Sequence, residues 1–76
     1  MVVLKNIRVE NDLAYADCYP ENSDEYKFDS VVSLTTEEIV SHTCTMSTSH
    51  LLFAERLLIR TAKQDKIPEK TFTMWY

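Results

Sequence analysis

The feature that most limits the fold of this chain is the absence of glycine from its 76 residues. Average usage predicts about five glycines in a chain of this length. Glycine is the residue that most easily adopts a positive φ or lets the backbone approach a phosphate closely. The dinucleotide-binding fingerprint, the Walker-type phosphate loop and the nucleophile elbow all require it, so the sequence excludes these enzyme classes.

The first twenty residues alternate in character with period two, which is typical of strands. We predict one strand over residues 2–10 and a second over residues 13–19. Asn11 and Asp12 tolerate left-handed backbone and predict a tight hairpin between them. In the first strand the alternation places on one side Val3, Lys5, Ile7 and Val9, and on the other Arg8 and Glu10.

The second strand separates large side chains from small ones. Tyr15 and Tyr19 share one face, and the other face carries Ala14, Ala16 and Cys18. Small side chains allow a helix to approach closely, so we expect a helix to pack on the small row. Both tyrosines then lie on the opposite face of the sheet.

Two more strands are predicted before the helix. The polar cluster at residues 20–25 predicts a turn, and residues 26–34 predict a third strand. Its common face carries Tyr26, Phe28, Val32 and Leu34. Residues 36–41 fit either a short helix or a turn into a strand, and we favour a fourth strand over residues 38–45 because Ile, Val and Thr are frequent there.

A helix and a last strand complete the chain. Apolar residues at the spacing i, i+3, i+4, i+7 predict a helix over residues 49–65, which ends before Pro68. Residues 70–76 predict a strand with Phe72 on one face and Trp75 on the other.

The succession of elements is β-β-β-β-α-β within a single domain, residues 1–76. One helix covers one face of a mostly antiparallel sheet of four to five strands, so the expected fold class is a two-layer α+β domain.

Cysteine and histidine cluster between the fourth strand and the helix. His42 and Cys44 project to the same side of a strand, and His50 follows at the start of the helix. A small thiol- or metal-dependent enzyme that uses Cys44 with His42 or His50 is therefore an alternative function. The spacing of these residues with Cys18 matches no standard zinc motif, so we expect no metal site, no cofactor and no catalytic residue.

The formal net charge of −4 argues against binding to DNA or RNA. Residues 1–50 hold nine acids against three bases, whereas residues 51–76 hold five bases against three acids. A second alternative is that the acidic chain mimics nucleic acid and inhibits a nuclease.

No segment resembles a membrane span or a signal peptide. The longest apolar run is residues 51–54, far below the roughly 20 residues that a spanning helix needs. The residues that follow Met1 do not form a cationic region ahead of an apolar stretch. We expect a cytoplasmic protein that does not bind membranes.

Aromatic residues are frequent on the predicted strands, and a single helix covers only one face of a sheet. Some rings must therefore lie on the uncovered face, where exposed aromatic patches mark interaction surfaces. The expected function is a non-enzymatic protein-interaction or accessory domain that forms a homodimer or binds another protein. The candidate interface residues are Tyr15, Tyr19 and Trp75.

Overall fold

The structure, a computed structural model, describes residues 1–44 and 48–73, without the side chain of Thr48. In chain order its elements are β1 (Val2–Glu10), β2 (Leu13–Pro20), β3 (Phe28–Ser33), β4 (Ile39–His42), α1 (Thr48–Ala62) and β5 (Lys70–Thr73). This succession is the predicted one.

Within the described residues, the strands form one antiparallel sheet in the order β4-β3-β2-β1-β5. The first four strands follow one another as a meander, in which each strand pairs with the one before it. The helix then returns the chain across the sheet, and β5 pairs with β1 at the far edge. The predicted α+β fold with one helix on an antiparallel sheet is confirmed.

Helix α1 packs on β1, β2, β3 and β5 and buries one side of the sheet, which we call the covered face. Ala14, Ala16 and Cys18 lie there, each at most 2% exposed, in the same core cluster as Leu57 and Leu58 of the helix. The helix therefore packs on the face that carries the small row. We call the opposite side of the sheet the open face.

Strand β1 does not alternate along its whole length, because its pairing with β2 shifts between Lys5 and Arg8. Asn6 has a φ of 55° at this β-bulge, which places one extra residue in β1. As a result Val3 lies on the open face while Ile7 is buried in the core. The prediction that Val3 and Lys5 share a side with Ile7 and Val9 was wrong, because strict alternation does not allow for an extra residue.

Tight backbone turns are made here by Asn and Glu. In the described part of the chain a positive φ occurs at Asn6, Asn11, Glu21, Asn22 and Glu37. Asn visits the left-handed region more readily than other residues with a Cβ, because its short amide hydrogen-bonds locally. Asn11 begins the two-residue turn between β1 and β2, and its positive φ matches the first central residue of a type II′ turn.

The third strand begins at Phe28 rather than at residue 26. Lys27 donates its backbone N–H to the Asp24 carbonyl at 3.4 Å and belongs to the preceding turn. Tyr26 is 49% exposed and does not join Phe28 and Val32 in the core. The prediction that Tyr26 shares their face was therefore wrong.

The fourth strand and the helix are both shorter than predicted. A turn at residues 34–36 leads into β4, so the strand is confirmed over the short helix. The regular ladder ends at His42 because the Asp29 N–H bonds to Thr43 Oγ1, at 2.8 Å, instead of to a carbonyl. Helix α1 ends at Ala62 rather than 65, and Gln64 donates to the Thr61 carbonyl at 3.2 Å, which closes a tighter turn.

Candidate interaction face

The open face carries a row of apolar side chains across three strands. The register pairs Val3 of β1 with Phe72 of β5 on one side and with Tyr19 of β2 on the other. Val3 is only 4% exposed although it lies on the side without a helix, whereas Phe72 is 59% exposed. An apolar strip with an exposed edge therefore crosses this face.

Tyr15 and Tyr19 lie on the open face, as the alternation in β2 predicted, and both are half-buried. The third candidate, Trp75, lies outside the described residues. The sequence-based prediction grouped Trp75 with the tyrosines and put Phe72 on the opposite face of its strand, but Phe72 lies on the open face with the tyrosines. The facing of a residue in β5 depends on its register with β1, and the sequence does not indicate that register.

Cations from β1 and from the end of the turn before β3 lie over the tyrosine rings. Lys5 Nζ is 4.4 Å from the centroid of the Tyr19 ring, and Lys27 Nζ is 6.0 Å from the same centroid. The Arg8 guanidinium is 5.1 Å from the centroid of Tyr15. Such contacts stabilise by roughly 0.5–1 kcal/mol at exposed sites, so they favour these ring orientations.

Two carboxylates lie between the tyrosines. Asp17 pairs in register with Lys5 of β1 and with Asp29 of β3. The Asn6 amide donates to Asp17 Oδ2 at 2.7 Å, and this bond, together with the charges of Lys27 and Arg8, lowers the pKa of Asp17 below its usual value. The face therefore carries charges of both signs around its apolar strip.

Sequence reasoning missed the cations on this face. Lys5 and Arg8 reach the rings from β1, whereas the tyrosines lie on β2. The bulge at Asn6 places both cations on the open face, although they are three positions apart in the strand. An Asn between Lys and Ile in the middle of a strand was the available signal.

The two thiols and two imidazoles lie in different surroundings. Cys18 is buried in the core, and burial raises the pKa of its thiol to about 12, with a further contribution from the charge of Asp17. His42 is exposed on β4, and its Nδ1 accepts the backbone N–H of Cys44 at 3.1 Å. Cys44 itself is half-buried against the core cluster.

His50 takes part in a different cluster, at the start of α1. Its Nε2 lies 3.2 Å from Glu21 Oε1, and the same oxygen accepts the N-terminal ammonium of Met1 at 2.8 Å. The hydrogen bond from the N-terminus, followed by the bond to His50, lowers the pKa of Glu21. This cluster links the start of the helix to the turn after β2. Across residues 1–44 and 48–73, no three side chains of the types His, Cys, Asp and Glu form a group able to hold a metal ion.

In the described ranges no helix has both the length and the apolar character needed to cross a membrane. Comparison with protein-family models, with the curated proteins and with the solved structures finds no match. The functional interpretation therefore depends on the geometry of the two faces and of the helix.

Proposed function

We propose that this chain is a non-enzymatic interaction domain that pairs with a second copy of itself through the open face of its sheet. The observation that carries the proposal is the exposed Phe72 ring in register with Val3 and Tyr19, on the face that α1 leaves uncovered. Exposed apolar groups of this kind, surrounded by polar residues, are typical of interaction surfaces.

The size of the aromatic surface supports pairing. A fully exposed aromatic side chain has about 150–250 Å² to bury, and Tyr15 and Tyr19 are already half-buried, so with Phe72 they supply part of the roughly 800 Å² per partner of a standard interface. The flanking contacts already hold the two tyrosine rings in place. Their ordering on association therefore costs little side-chain entropy.

The arrangement of charge supports a copy of the same chain as the partner. Lys5 and Arg8 lie along β1, whereas Asp17 and Asp29 lie toward β3. A two-fold axis that runs parallel to β2 would bring Lys5 and Arg8 of each copy toward the β3 side of the other, in a self-complementary interface. Complementary charges of this kind fix the orientation of the partners more than they raise affinity.

A non-enzymatic role is supported by the placement of the cysteine and histidine side chains. Cys18 lies in the core, apart from Cys44 and the histidines, and its thiol, with a pKa of about 12, is protonated near neutral pH. His42 accepts a hydrogen bond from the main chain of Cys44 through Nδ1, and His50 contacts Glu21 through Nε2. We also propose a cytoplasmic location, because free thiols persist there, and no binding of nucleic acid or of a cofactor.

Light scattering after size exclusion tests the proposal. The full chain is expected to have the mass of a dimer, and Tyr15→Glu and Phe72→Glu are each expected to give a folded monomer, because they bury a carboxylate at the interface. Leu52→Glu is the matched control, since Leu52 is 43% exposed on the helix, away from the open face, and this variant is expected to remain a dimer. A monomeric parent chain, or a dimer that survives both open-face variants, would contradict the proposal.

A further inference from the structure

The outward side of α1 carries an open groove of about 540 Å³ with an apolar floor. Leu52, 43% exposed, and the half-buried Ile59 form this floor two turns apart on the helix. Arg56 and Arg60 line it one turn apart, as residues at i and i+4 do. The groove lies on the side of the helix away from the sheet, so pairing through the open face leaves it accessible.

The charges of the groove are only partly balanced. Lys63 is paired with Glu37, with 2.9 Å between Nζ and Oε2. Arg56 and Arg60, in contrast, have neither an ion pair nor a hydrogen-bonded side-chain partner within residues 1–44 and 48–73. The two guanidinium groups lie beside exposed apolar side chains on a chain whose net charge is −4. They provide a binding surface for carboxylates, which the planar guanidinium contacts in a bidentate manner.

We infer that this groove binds an acidic amphipathic segment of a protein partner. Apolar side chains of the segment contact Leu52 and Ile59, and its carboxylates pair with Arg56 and Arg60. This is the helix-in-groove mode of peptide recognition, in which anchors recur at i, i+3, i+4 and i+7. Nucleic acid fits less well, because a phosphate backbone has no apolar side chains to contact Leu52 and Ile59.

The probe for this inference is a fluorescein-labelled synthetic peptide of about 18 residues, long enough to form a helix, with Leu on one side and Glu on the other. Two control peptides replace every Glu with Lys or every Leu with Ser. Fluorescence anisotropy with the full chain is expected to show binding of the Leu/Glu peptide alone. When the Leu/Glu peptide is added to the isotope-labelled protein, the changes in the protein's amide chemical shifts are expected to cluster at residues 52–63.

Two protein variants distinguish binding in the groove from a general effect of the protein's charge. Arg56→Glu combined with Arg60→Glu is expected to weaken binding of the Leu/Glu peptide about tenfold or more, because two attractive pairs become repulsive. The matched control is Lys66→Glu, an exposed charge reversal beyond the helix end, which is expected to change affinity by less than about twofold.

Four results would each overturn the inference. The first two are that the Leu/Glu peptide does not bind, or that Lys66→Glu weakens its binding as much as the double arginine variant does. The other two are that the chemical-shift changes fall on the open face instead of α1, or that an oligothymidine binds more tightly than the peptide. Because the groove and the open face lie on opposite sides of the domain, loss of peptide binding and loss of the dimer are separate outcomes.

Discussion

The two faces of the sheet are built from adjacent residues of β2 by different means. On the covered face Ala14, Ala16 and Cys18 are small, and their function is to let Leu57 and Leu58 of the helix come close. On the open face Tyr15 and Tyr19 are large, and cations from neighbouring segments lie over their rings. The structure of the covered face therefore depends on the volumes of its side chains, whereas that of the open face depends on pairwise contacts between side chains.

This difference determines what each face tolerates. A core is packed as densely as a crystal, so added volume on the covered face must displace the helix. Within a single copy the open face has no layer above it, so changes there remove single contacts without disturbing the packing of the fold. Stability therefore depends mainly on the covered face, whereas the open face is free to serve recognition.

The largest expected effect comes from introducing the same leucine at adjacent residues. Ala16→Leu adds three carbons beneath α1 at a position that is 2% exposed and is expected to lower the free energy of unfolding by about 2–3 kcal/mol. Tyr15→Leu keeps an apolar side chain on the open face and loses the contact with Arg8, so its expected cost to the fold of a single copy, measured at a concentration where the chain is monomeric, is below about 1 kcal/mol. Urea denaturation of both variants measures the difference. Equal costs would contradict the division between the faces.

A smaller effect is expected at the bulge that places Lys5 and Arg8 on the open face. Asn6→Val puts a β-branched residue at a φ of 55° and removes the hydrogen bond to Asp17, so a cost of about 2 kcal/mol is expected. Asn6→Gly is the matched control, because it removes the same hydrogen bond while it accepts the positive φ. It is expected to cost about half as much. A Val variant as stable as the Gly variant would show that the bulge does not depend on backbone conformation at residue 6.

The smallest effect is expected from pH. The hydrogen bond from Asn6, with the charges of Lys27 and Arg8, lowers the pKa of Asp17 in the folded chain. A carboxylate with a lowered pKa stabilises the fold at pH values above its unfolded pKa, and this contribution is lost as the pH falls through the folded pKa. The unfolding free energy is thus expected to fall in acid, and less steeply in Asp17→Asn. Urea titrations of both proteins at pH values above and below the usual aspartate pKa, 3.8, measure this difference. If the unfolding free energy changed equally with pH in the parent chain and in Asp17→Asn, the prediction would be contradicted.

Much of the fold could be predicted because its signals are local. Alternation predicted β1 and β2, Asn11 and Asp12 predicted their turn, and the apolar stripe predicted α1. The errors came where a feature depends on distant pairing. The bulge at Asn6 and the facing of Phe72 both follow from register between strands, which no local pattern specifies.

Of the candidate interaction face, only the position of the two tyrosines could be predicted from the sequence. Tyr15 and Tyr19 follow from the period of β2, but the cations over them come from β1 and from Lys27, outside that strand. The groove on α1 was likewise not foreseen, because the same basic residues fit a solvated helix surface in a sequence. What distinguishes them is that Lys63 has a carboxylate partner, Glu37, and that Arg56 and Arg60 have none among the described residues.

The central claim, that two copies meet through the open face, is tested most directly by isotope-filtered NMR on a mixture of labelled and unlabelled chains. The account predicts intermolecular NOEs that involve the ring protons of Tyr15, Tyr19 and Phe72, and none from Leu52 on the outward side of α1. Intermolecular NOEs confined to helix residues, or their absence from all three rings, would contradict it.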